Sequence, residues 1–157
     1  MSDRAVLELL ARRLGRDLSA EGIEVVPIGG AHAIRRFVAD LPPGTVVRGL
    51  CDANEAPLFR RVLEDVFVCD PDLEGEVIRA LGVEAVEAAL GVGLASFRMF
   101  QQQPAQRGRP VEPQLHRWLR SSSRRFHRYL PILVEALDLD AVPQPLRAVL
   151  GKADHPG

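Results

Sequence analysis

Apolar positions along the chain fall into two rhythms. Val6, Leu7, Leu10 and Leu14 recur with the spacing of one helix face, with Ser2-Asp3 ahead as an N-cap and Gly15 behind as a stop. The run Ile23 to Ile28 is nearly continuous and β-branched, which predicts a strand; Pro27 implies an edge position or an early finish. After Gly29-Gly30 the helical rhythm returns at Ile34, Phe37, Val38 and Leu41, and Pro42-Pro43-Gly44 stops it. Thr45 to Leu50 predicts a second strand. Pro57 suits the first turn of a helix that points Leu58, Phe59, Val62 and Leu63 inward. Val66 to Cys69 predicts a third strand, and Val77, Ile78 and Leu81 mark the next helix, ended by Gly82.

Strands separated by helices predict a parallel sheet with right-handed crossovers, and short apolar strands suit a sheet covered on both faces. The fold class expected is therefore α/β. Beyond residue 82 the pattern is helical. Val83 to Leu90 is broken by Gly91 and Gly93, and Ser96 to Gln103 ends at Pro104. Leu115, Trp118 and Leu119 mark one later helix, which Ser121 to Ser123 interrupts. Phe126, Tyr129, Leu130, Leu133, Val134 and Leu137 mark another, with Pro131 as its start or a kink. Pro143 and Pro145 introduce a short turn around Leu146 to Leu150. The domain organisation expected is an α/β domain over 1–90, a helical arginine-rich extension over 91–150, and a disordered tail over 151–157.

Composition narrows the class only modestly. The 157 residues are 46% hydrophobic and 26% charged, as in ordinary globular proteins. No apolar stretch nears the roughly 18 residues that cross a bilayer, and no signal peptide is visible, so the expectation is a cytoplasmic protein without a membrane partner. Cys51 and Cys69 have no zinc spacing and read as buried, reduced thiols. His32, His116, His127 and His155 show no metal spacing either. The net charge of −1 conceals a segregation: eight arginines lie between Arg98 and Arg128 against one acid, Glu112. That segment, including Arg107, Arg109, Arg117, Arg120, Arg124, Arg125 and Arg128, could grip a polyanion, or could form a solvated helix face or meet an acidic partner.

Two acidic turns carry the candidate chemistry. Asp52, Asn54 and Glu55 follow the second predicted strand; Asp70, Asp72 and Glu74 follow the third. Functional groups in open α/β sheets gather beyond the carboxyl ends of the strands, and Asp3 could lie at the same edge. Carboxylates converging there suit Mg²⁺ or Mn²⁺. Helix capping accounts for Asp3, Asp72 and Glu74 individually just as well. Gly29-Gly30 is read as a tight turn, and no P-loop spacing occurs, so the chain carries no ATP site.

The segments "SDRAVLELLARRLG", "VVPIGGAHAIRRF", "GLCDANE" and "DLEGEVIRALG", in that order, resemble the topoisomerase–primase (Toprim) domain in the form found in the overcoming-lysogenisation-defect (OLD) nucleases. "SFRMFQQQPAQRGRPVEPQLHRWL" resembles the helical part of small bacterial proteins of that group, called ATP-dependent endonucleases or Toprim nucleotidyl transferase/hydrolase proteins. The resemblance implies a Toprim-like parallel sheet flanked by helices and Mg²⁺-dependent cleavage of phosphodiester bonds, as in a DNA endonuclease or nickase. It also implies a nucleic-acid partner, expected to be DNA, and a homo-oligomer or a separate ATPase partner. Asp3 matches the end of the family's Glu-Gly-x-x-Asp motif, Asp52-Ala53-Asn54 its Asp-x-Asp motif, and Asp72-Leu73-Glu74 its later acidic motif, with Glu76 extending it. The implied catalytic residues are Asp52, Asp72 and Glu74, and the implied metal ligands are these with Asn54 and Asp3. In such enzymes the bound ions activate water and stabilise the departing oxygen.

The chain departs from that pattern in three places. The glutamate of the first motif and the strand bearing it would precede Met1, so the sheet is expected to lack its first strand, and the preferred reading is a start displaced from its true position. Asn54 replaces an acid. The lysine such nucleases use has no counterpart but Lys152, the chain's only lysine. These departures sustain the alternatives: a catalytically impaired Toprim module that binds nucleic acid or a protein, or a nucleotidyl transferase.

Overall fold

A computed structural model describes residues 3–152. Ser2, His155 and the tail from 153 onward lie outside the described residues. In chain order the elements are α1 (Asp3–Arg13), α2 (Ile34–Ala39), β1 (Arg48–Asp52), α3 (Ala56–Arg60), β2 (Asp65–Cys69), α4 (Leu73–Leu81), α5 (Val83–Leu90), α6 (Gly93–Gln101), α7 (Val111–Arg120), α8 (Ser123–Ala136) and α9 (Gln144–Leu150), with single 3-10 turns between several of them. The chain forms two compact units: residues 3–73 with 143–152, and residues 74–142. The division falls there and not near residue 90, because α5 packs on α8 while α9 returns to the strands.

The first unit is α/β. β1 and β2 run parallel, registered from Arg48 opposite Asp65 to Asp52 opposite Cys69. Helix α3 connects them and packs on both, as the geometry of parallel strands requires. Gly49 permits the close approach: a Cβ there would lie 2.8 Å from Leu63 Cδ1 and 2.9 Å from Phe59 Cδ1. Ala31, Ile34, Cys51, Ala56, Phe59 and Leu63 form one apolar core. Helix α9 packs on both strands and on α1. Opposed residues of a ladder share a face. Cys51 opposite Val68 and Asp52 opposite Cys69 therefore put the two buried thiols on opposite faces, and they form no disulfide.

Two of the three expected strands form. Ile23–Ile28 forms no strand: among the described residues the backbone from Glu24 to Ile28 makes no backbone hydrogen bond. β-Branched residues favour an extended chain, yet a strand exists only as one side of a ladder. The strand expected over Thr45–Leu50 begins instead at Arg48, where pairing with Asp65 starts, and it continues to Asp52.

The second unit is helical. Trp118 is fully buried at its centre, edge-on to Phe97 at 5.7 Å and tilted against Tyr129 at 5.5 Å. Helix α6 starts at Gly93, not at Ser96: Gly93 is no breaker but the point where Tyr129 comes nearest, its Oη 2.5 Å from where a Cβ would stand. Ser122 caps α8, its Oγ accepting from the Arg125 backbone N–H at 3.2 Å. Pro131 lies inside α8. Among the described residues no helix is long and apolar enough to cross a membrane.

Candidate functional site at the end of the strands

The acidic turn after β1 is built by a reciprocal pair of hydrogen bonds. Asp52 ends β1 in extended conformation and its side chain accepts from the Glu55 backbone N–H. In return the Asp52 backbone N–H donates to Glu55 Oε1 at 3.4 Å. This capping box turns Ala53–Glu55 into one 3-10 turn that feeds α3, with Pro57 in its first turn. Capping therefore explains why the strand ends on acid. Asn54, expected as a weaker ligand, is exposed in that turn.

The second acidic turn meets the first through the backbone. The Ala53 N–H donates to the Pro71 carbonyl at 3.2 Å, which brings Asp72 to the same sheet edge. Asp72 is buried, at 4% exposure, immediately before α4. Asp70 is exposed. Asp3, the first residue of α1, joins this edge: burial and then the carboxylates of Glu55 and Asp72 push its carboxyl above the usual aspartate range. Cys51 senses the same charge. Burial, then Glu55 and Asp52, raise its thiol to about 11. Asp3, Glu55 and Asp72 thus share one electrostatic field, and Glu55 is the member that motif reading left out of the ligand set. Its signal was the Asp-x-x-Glu spacing of a capping box.

Glu74 belongs to the helical unit. It is 8% exposed in the first turn of α4, with Arg120 Nε 3.4 Å from its Oε1. Glu76 and Glu112 both approach Arg79, at 3.5 and 3.8 Å. Among the described residues no group of three or more His, Cys, Asp and Glu is gathered closely enough to hold a metal ion.

The arginines expected to bind nucleic acid divide by their surroundings. Arg125 lies over the Trp118 ring at 4.5 Å, and its Nη1 donates to the Trp118 carbonyl at 2.9 Å and to Ser121 Oγ at 2.7 Å. Arg109 donates to the Ala105 carbonyl at 2.9 Å, and Arg120 faces Glu74. Arg107, Arg117, Arg124 and Arg128 are exposed, Arg128 with its guanidinium 5.3 Å from the Tyr129 ring centre. His127 Nδ1 lies 2.6 Å from the Ser123 carbonyl, an ordinary contact within a helix. Gly29 and Gly30 both have positive φ, at 72° and 129°, as a tight turn requires.

Comparison of the chain with protein-family models, with curated proteins and with solved structures gave no match.

Proposed function

We propose that the acidic edge of the α/β unit binds Mg²⁺ or Mn²⁺ and supports metal-dependent cleavage of phosphodiester bonds in nucleic acid, DNA being the expected substrate. The observation that carries this reading is the shared field of Asp3, Glu55 and Asp72. Glu55 and Asp72 make ionisation of the Asp3 carboxyl costlier, a cation beside them would relieve that cost, and hard oxygen donors are the ligand type these ions take. One or two of Asp3, Asp52, Asp72 and Glu55 would hold the ion, with water completing its shell. A bound cation would supply electrostatic stabilisation of charge developing on phosphate oxygens. Within the helical unit, the exposed Arg107, Arg117, Arg124 and Arg128 would offer phosphate contacts of their own.

A second reading has its own support. Asp52 is engaged in a capping box and Glu74 faces Arg120, which favours a module that binds nucleic acid or a protein without cutting. Calorimetric titration of Mg²⁺ and Mn²⁺ into the chain and its Asp72→Asn variant, with nicking of supercoiled plasmid as readout, separates the two. Saturable binding lost in the variant, with metal-dependent nicking, supports cleavage. Saturable binding without nicking supports the second reading. Absence of binding overturns the metal site itself.

A further inference from the structure

Three large apolar side chains of the helical unit stand exposed among the described residues: Val92 at 81%, Met99 at 72% and Ile132 at 41%. Single exposed apolar residues are ordinary on a protein surface, so their placement decides what they mean. Val92, at the N-cap of α6, is followed by Ser96 and Met99 at the i, i+4, i+7 spacing of one helix face. On α8, Arg125, Arg128 and Ile132 follow at i, i+3, i+7.

Two contacts bring these stripes together. Arg125 Nη2 donates to Ser96 Oγ at 3.5 Å, and Tyr129 Oη lies 2.5 Å from where a Gly93 Cβ would stand. Going from Arg125 to Tyr129 on α8 means going back from Ser96 to Gly93 on α6, so the two helices run antiparallel. Ile132, one turn past Tyr129, therefore falls toward the start of α6, where Val92 stands. Met99 continues the face one turn beyond Ser96. From Val92 to Met99 it is about 10 Å long, or two helical turns.

The charge beside this face has one sign. Arg128 is exposed, its guanidinium 5.3 Å from the Tyr129 ring centre, and Arg125 spans the two helices. Helix α6 carries no acid, and its Arg98 turns to Glu87 at 2.8 Å. The only acid of α8 is Glu135, one turn past Ile132. Methionine and arginine around an apolar centre are the composition of a protein interface. A phosphate backbone would answer the arginines but leave Val92, Met99 and Ile132 in water. A polypeptide with an apolar stripe and carboxylates answers both.

We propose that the α6–α8 face docks an acidic amphipathic helix of a partner protein. The apolar stripe of that helix would cover Val92, Met99 and Ile132, and its carboxylates would meet Arg125 and Arg128. Helices α6 and α8 satisfy their backbone groups internally, so side chains carry the recognition, as when a helix lies in an apolar groove. The proposal rests on neither the acidic edge nor phosphodiester cleavage.

The probe is an acetylated, amidated and fluorescently labelled peptide of leucine, alanine and glutamate. It is about 18 residues long, enough to form a helix, with leucine at i, i+3, i+4, i+7 spacing. Anisotropy is followed as the full chain is added with EDTA present. The expected result is saturable binding that Met99→Gln and Ile132→Gln each weaken roughly fivefold or more. Arg128→Glu should weaken it about tenfold, and a peptide with lysine in place of glutamate should regain binding to that variant. Both apolar positions are exposed, so these variants should melt within about 2 °C of the parent chain. Three results with the peptide overturn the proposal: no saturable binding up to about millimolar chain, equal binding of the lysine peptide to the parent chain, or binding unchanged when Met99 and Ile132 are both glutamine. Two further outcomes also overturn it. A labelled duplex oligonucleotide that displaces the peptide and is itself weakened by Met99→Gln gives the face to nucleic acid. A dimer in light scattering that Val92→Gln dissociates gives it to a second copy.

Discussion

Asp52 and Glu55 close each other's open ends: the carboxylate of Asp52 accepts from the Glu55 N–H, and Glu55 Oε1 accepts from the Asp52 N–H at 3.4 Å. The same two side chains are thus both a turn and part of an acidic edge. Substitution separates the roles. Asp52→Ala removes the cap and should cost about 1 kcal/mol, lowering Tm by roughly 2–4 °C. Asp52→Asn and Glu55→Gln keep comparable hydrogen-bonding groups and should leave Tm nearly unchanged. If Asp52 is a ligand, Asp52→Asn nonetheless weakens Mg²⁺ binding in calorimetry. Unchanged binding in Asp52→Asn would leave that residue with the cap alone.

Asp3 sets a pH dependence whose sign is determined by its surroundings. Its carboxyl is raised in the folded chain by burial and by Glu55 and Asp72. Below about pH 4, the ordinary aspartate value, it is protonated in both states and its contribution is fully present. As pH rises through the raised folded value, ionisation adds charge beside two carboxylates and stability falls. Asp3→Asn should match the parent chain in acid and exceed it at neutral pH by about 1–2 °C in Tm, the scale of a surface charge effect. Millimolar Mg²⁺ should narrow that gap if the edge holds the ion. Melting curves between pH 3 and 8 test both statements.

How much of this was legible depended on whether local pattern or long-range pairing decided an element. Helices α1, α4, α7 and α8 carry their own apolar period, so their apolar faces could be read directly. Ile23–Ile28 has the composition of a strand and lacks a partner, a property of the surrounding chain that no local window contains. Gly93 looked like a breaker because its reason for being glycine lies far off in sequence, at Tyr129. The acidic turns were legible as turns. Their meeting through Ala53 and Pro71 was not, because it follows from the β1–β2 register, and the place of Glu55 beside Asp3 was not, because it depends on where α1 packs.

The contact at Gly93 makes a stability prediction for the helical unit. A methyl group there would stand 2.5 Å from Tyr129 Oη, so the ring must move within a packed cluster that includes Trp118. Gly93→Ala should cost about 1–2 kcal/mol, less than a full overpacking penalty because alanine favours the helix. Adding Tyr129→Phe should recover part of that loss by removing the nearest atom. Thermal melts of the two single variants and the double variant measure the coupling; additive effects would mean the helix relieves the clash elsewhere.

The arginines of the helical unit should separate into two classes under alanine substitution. Arg125 covers the Trp118 ring and donates to the Trp118 carbonyl and Ser121 Oγ, so Arg125→Ala removes packing as well as charge. Its expected effect is a stability loss of about 1–2 kcal/mol. Arg107, Arg117 and Arg124 are exposed, and their substitution should leave Tm within about 1 °C. If these groups contact phosphates, each loss weakens binding of a labelled oligonucleotide at low salt. Each also lowers the slope of log affinity against log salt by about 0.9 on duplex DNA. Anisotropy titrations across a salt series read both quantities. A slope unchanged by Arg107→Ala, Arg117→Ala and Arg124→Ala together would remove the phosphate-binding role from this face and leave these arginines as solvated helix and loop charges.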